Sequence, residues 1–159
     1  MKHNKPFTSL LEDEGLRMQP DDFDFGIAVA LDNDALETAV IEHANKLSFK
    51  DFQSAYREAI RTVREGKSPT KVRVPLIISS MGPYHIRSAT PVVVPPSIAT
   101  LFVGTSHLEP IVEGKGVGHQ EVVTMDLTFD HRWINGVGAA SFMADIRKGV
   151  EEFELPDLS

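Results

Sequence analysis

The strongest local pattern in the chain runs from Ser48 to Gly66. Ser48 is a good N-cap, and Asp51 stands three residues on, the arrangement of a capping box. Phe52, Ala55, Tyr56, Ala59, Ile60 and Val63 recur at helical spacing and give one apolar face. Gly66 supplies a stop, and Pro69 prevents continuation. The spacing predicts a helix over 49–65. A helix with one apolar stripe needs a second layer to cover it, and the flanking segments read as strands. Phe23 to Leu31 alternates and then becomes continuously apolar, as a strand buried on both faces does. Asp32-Asn33-Asp34 is a turn cluster, and Leu36 to Ile41 is a second strand candidate. Val72 to Ser79 is a third, with Pro75 marking an edge or bulge.

After a loop-rich stretch from Pro83 to Pro96, strands are expected at Ile98 to Gly104 and Val122 to Phe129. Val137 to Phe153 is predicted to be a second helix with Met143, Ile146, Val150 and Phe153 as its inner stripe, ended by Pro156. The sum is a mixed α/β domain with a mixed sheet and both helices packed on one face. Residues 1–22 are polar and broken by Gly15 and Pro20, so they read as an N-terminal arm with one short strand at Gly15 to Met18. That leaves 23–159 as the core.

Composition narrows the function classes. A chain of 159 residues holds one domain with a real core and is short for two. The net charge is -7 and Lys and Arg are scattered, so no basic footprint for nucleic acid or an anionic membrane is present. With no cysteine, disulfides, thiolate catalysis and Cys-ligated metals are excluded. The first six residues lack the apolar core of a signal peptide. No run approaches the ~20 apolar residues of a membrane span. A cytoplasmic location is the expectation.

Few motifs compete for chemistry. Gly114-Lys115-Gly116-Val117-Gly118 lacks the ending of a phosphate loop and lies between two strands, so it reads as a hairpin connection. The six histidines include no pair at metal-ligand spacing on a predicted helix, and no metal site is expected. His3, His43, His107 and His119 read as surface or loop residues, and His85 lies in the loop after Ser79. His131 differs in its setting within Asp130-His131-Arg132-Trp133-Ile134-Asn135-Gly136. It ends a strand, in a short loop closed by Asn135-Gly136 before a helix. A lone histidine there is more often structural than catalytic. A second small polar cluster, Ser79-Ser80 before Gly82, also ends a strand.

Phe129 to Gly136 resembles the FDHRxxDG signature of the dihydrolipoamide acyltransferase catalytic domain of 2-oxo acid dehydrogenase complexes, which has a chloramphenicol acetyltransferase-like fold. The resemblance continues in order. Phe23 to Val29 is similar to the family's FNIGIAV strand, and Ile78-Ser79-Ser80-Met81-Gly82 to its ISNxG segment. Thr90-Pro91 through Pro95-Pro96 to Val103-Gly104 is similar to TPIINPPQ…GVG. Two positions depart: Asn135 stands where most members have Asp, and Ser80 where they have Asn. The resemblance implies acyl transfer between a dihydrolipoamide thioester and coenzyme A. It implies His131 as general base, Ser79 as oxyanion donor and Asn135 as a positioning residue. It also implies a homotrimer or larger core, with the lipoyl group supplied by another chain and a lipoyl-carrying or dehydrogenase partner. The family's domain opens with a strand and a long helix, so a shortened core is expected here. The alternative is a non-catalytic scaffold subunit that keeps the fold and the assembly contacts.

Overall fold

The computed structural model describes residues 5–12, 15–18, 22–32, 35–67 and 72–154. Asn33, Asp34, Pro69 and Pro156, given roles above in turns and helix ends, lie outside the described residues. The chain opens with a 3-10 turn, Lys5–Thr8, and a hairpin of β1 (Ser9–Glu12) and β2 (Gly15–Met18). The main sheet contains β3 (Phe25–Ala30), β4 (Leu36–Ile41), β5 (Leu76–Ser80), β6 (Ala99–Glu113) and β7 (Gly116–Phe129). Its spatial order is β4-β3-β5-β6-β7. The β3–β5 and β5–β6 pairs are parallel, and the two outer pairs are antiparallel. Two helices complete the fold, α1 (Phe49–Arg64) and α2 (Gly136–Glu151).

The local signals that predict α1 are realised atom by atom. Ser48 Oγ accepts from the Asp51 N–H at 3.2 Å and donates to the Asp51 carboxylate at 2.6 Å. At the other end Gly66 takes φ +77°, a conformation that costs other residues a Cβ clash. The Lys67 N–H then reaches Thr62 O, and the Gly66 N–H reaches Val63 O, closing the last turn.

Strand parity sorts the core. Phe25, Ile27, Val29, Ala39, Ile41 and Ile78 share one face of the sheet and pack with Phe52, Ala59 and Val63 of α1. Leu76, Ala99, Leu127 and Phe129 continue that face and pack with Ala139, Phe142 and Ile146 of α2. Both helices therefore cover the same face, as expected. The N-terminal stretch is more than the expected arm with one strand: besides Gly15–Met18 it forms a second strand at Ser9–Glu12, and Phe7 and Leu10 are buried, tying it into this layer. Phe7 is buried and stacks on Phe142 at 3.9 Å between ring centroids.

Two further expectations need correction. The buried residues of α2 are Ala139 and Phe142; of the expected stripe Met143 and Ile146 are half-buried, while Val150 and Phe153 are 54% and 52% exposed. Phe153 lies just past the end of the helix, with its ring 5.2 Å from that of Phe49. The glycine-rich connection is also shorter than expected. Strands β6 and β7 pair out to Glu113 and Gly116, so Gly114 and Lys115 alone make the turn. That outer hairpin has no apolar layer across it, which is why alternation does not reveal it. Leu108, Val112 and Val117 stand exposed there.

Phe142→Ala should remove a buried ring and its stack on Phe7, destabilising the domain by about 3–5 kcal/mol in a urea titration.

Candidate active site

The loop after β7 is built rigidly. The Asp130 N–H donates to Ile98 O at 2.8 Å, holding the strand end against β6. Trp133 and Ile134 N–H groups both donate back to Asp130 O at 3.1 Å. Ile134 is buried in the α2 cluster and pins the turn from below. Asn135 Oδ1 accepts from the Gly138 N–H at 2.8 Å and caps α2. His131 projects from this turn into solvent, with its ring 5.5 Å from that of Phe129. The Asp130 carboxylate is committed elsewhere. It accepts from Arg132 Nε at 2.9 Å and from the Arg132 backbone N–H at 3.0 Å, and these bonds hold its carboxyl below the usual range.

Ser79 is the fourth residue of β5 and sits opposite Phe102 of β6. Parity turns its side chain to the face away from the helices. The residue is half-buried, and its hydroxyl makes no hydrogen bond among the described residues. Its neighbour Ser80 is exposed, and Ser80 Oγ accepts from the Gly82 N–H at 3.4 Å.

The register shows that Ser79 and His131 do not meet within one chain. Leu76 pairs with Ala99, and Ala99 pairs with Phe129. Strand β7 thus ends on the row where β5 begins, and His131 lies beyond that row. Ser79 is at the other end of β5 and two strands away, which puts the two Cα atoms on the order of 15–20 Å apart.

Some features of this region have no sequence signal. A cleft of about 640 Å³ beside the loop is lined by Leu11, Glu12, Pro95, Pro96, Arg132 and Trp133. These residues come from three distant segments, so neither spacing nor periodicity joins them. No three His, Asp or Glu side chains among the described residues are placed to hold a metal ion. No helix among them is long and apolar enough to cross a membrane.

The family described as 2-oxoacid dehydrogenases acyltransferase (catalytic domain) matches residues 2–156. The chain belongs to this family. The match takes in the N-terminal stretch as well as the region from residue 23. Among relatives, the dihydrolipoyllysine-residue acetyltransferase component of the acetoin cleaving system of Bacillus subtilis is 32% identical over 129 residues. That alignment covers 80% of this chain and 32% of the relative, so the chain spans about a third of the length of such relatives. A structure of Azotobacter vinelandii dihydrolipoamide acetyltransferase superposes with a TM-score of 0.85 at 26% identity, covering 95% of this chain and 63% of that one. It belongs to an investigation of a serine, a histidine and an asparagine in that enzyme's catalytic mechanism, which stand 52 and 4 residues apart. A chloramphenicol acetyltransferase shares the fold, with a TM-score of 0.52 at 15% identity over 91% of this chain and 69% of that one. The expected fold class is thereby met.

Asn135→Ala should cost about 1 kcal/mol in chemical denaturation through loss of the α2 cap, and Asn135→Asp should cost little because Asp caps equally well.

Proposed function

We propose that this domain transfers an acyl group between a dihydrolipoyl thioester carried on another chain and the thiol of coenzyme A. One observation carries the reading. Ser79, His131 and Asn135 repeat the 52- and 4-residue intervals of the serine, histidine and asparagine investigated in the Azotobacter enzyme. Asn135 thus has the same side chain as that enzyme, so its departure from the commoner Asp is no obstacle.

The chemistry follows from the three side chains. His131 takes the proton of the attacking thiol. A thiol near ~8.5 and an imidazole near ~6.5 differ by about two pKa units, roughly 2.7 kcal/mol, which positioning can offset. The sulfur adds to the thioester carbonyl, and the resulting oxyanion accepts a hydrogen bond from Ser79 Oγ. The carbon–sulfur bond to the leaving group then breaks, and His131 returns its proton to the departing thiolate. Asn135 acts through structure: its cap fixes the start of α2 and with it the turn that carries His131.

The separation of Ser79 and His131 gives this scheme a condition. One intermediate can feel both residues when they come from two copies of the chain. The exposure of His131 and the unpartnered hydroxyl of Ser79 support that arrangement. Apolar residues exposed on the outer hairpin, Leu108, Val112 and Val117, support self-association. A cyclic homotrimer satisfies it by repeating one heterologous contact.

Transfer between acetyl-CoA and dihydrolipoamide tests the reading. His131→Ala should lower kcat by roughly 10²–10⁴-fold, and Ser79→Ala by about 10²–10³-fold. A wild-type chain inactive across several acyl groups would instead favour the scaffold reading, and an unchanged rate in the His131 variant would remove its assigned role.

A further inference from the structure

A strap, residues 85–97, lies on β6 at the face of the sheet away from the helices. Its path is fixed by contacts along β6. The Thr105 N–H donates to Ile86 O at 2.8 Å, and Thr100 Oγ1 donates to Val92 O at 2.9 Å. Between them, Gly104 has no side chain, and a Cβ there would fall 2.0 Å from Arg87 O. The strap therefore lies directly on β6. Thr100, Phe102 and Gly104 all point into it by parity. Phe102 is only 1% exposed, on the face away from α1 and α2. The strap and the 3-10 turn Gly82–Tyr84 both lie against β6.

One side chain ties the middle of the strap to the sheet. Asp126 of β7 pairs with Phe102, which pairs with Ser79, so the three share one row and one face. Asp126 Oδ2 accepts from Ser88 Oγ at 2.8 Å and from the Ala89 N–H at 3.2 Å. Asp126 lies two strands from Ser79, about 10 Å away, and cannot touch a group bound there. It can act on Ser79 through the strap and the ring of Phe102.

We propose that Asp126 is a positioning residue for acyl transfer: it holds the 85–97 strap over Phe102 and so keeps the Ser79 hydroxyl in a dry, fixed wall. This rests on the oxyanion role assigned to Ser79. A donor aimed at an oxyanion is worth most where water is excluded and the donor does not move. Loosening the strap admits water along the Phe102 row and frees Ser79 to rotate. The loss falls on the transition state, so kcat drops while KM for the thioester changes little.

The test uses the full chain. Asp126→Ala should speed amide hydrogen exchange at Thr105, whose bond to the strap is released, while the α1 amides stay protected. It should lower kcat roughly ten- to hundred-fold. Asp126→Asn should restore both readings, because one amide oxygen can accept from Ser88 and Ala89 as Oδ2 does. In a Ser79→Ala background, Asp126→Ala should cost nothing further. Unchanged Thr105 exchange, unchanged kcat, or the same fold-loss with and without Ser79 would each overturn the proposal. A wild-type chain without transfer activity would overturn the acyl-transfer reading instead, and Thr105 exchange would still decide whether Asp126 holds the strap.

Discussion

The pairing of β6 with β5 on one side and β7 on the other governs the rest of the molecule. It is parallel on the first edge and antiparallel on the second, so the strand that carries Ser79 and the strand that leads to His131 run in opposite directions. The same ladder sets the two faces. Odd and even positions along each strand are committed to the helix layer or to the strap. A one-residue slip of β5 would bring Ser79 under the helices and turn Ile78 into the strap. The register is held because both faces are covered there, with Ile78 partly buried on one side and Ile77 buried on the other.

Much of this was legible in the sequence where one physical cause acts locally. The Ser48 box and the Gly66 stop are satisfied by neighbours within a few residues, and that helix and the strand candidate Leu36 to Ile41 form where expected. The expected strand from Val72 starts at Leu76, after Pro75, which cannot donate to the ladder. Features that depend on distant partners were not legible. The outer hairpin has no periodic burial to betray it, and the exposure of Val150 and Phe153 departs from their helical spacing. The strap reads as a proline-rich loop, and its anchors at Thr100, Gly104 and Asp126 lie up to 38 residues from their partners.

The candidate site divides in the same way. His131 and Asn135 sit in a short segment whose turn and cap can be read directly, and family resemblance pairs them with Ser79. What the sequence conceals is that Ser79 and His131 face away from each other's end of the sheet. Under the proposed acyl transfer, that separation makes association between chains a requirement of the chemistry and not an accessory to it.

Mixed assemblies decide whether the two residues come from one chain or two. His131→Ala and Ser79→Ala chains, each inactive in its own assembly, are co-expressed and purified together by separate tags. If each site takes its serine from one copy and its histidine from the next, random equal mixing leaves about a quarter of the sites intact, and activity should return to about that fraction of wild type. A mixture as inactive as its two parents would show that both residues serve from the same chain, and would contradict the account.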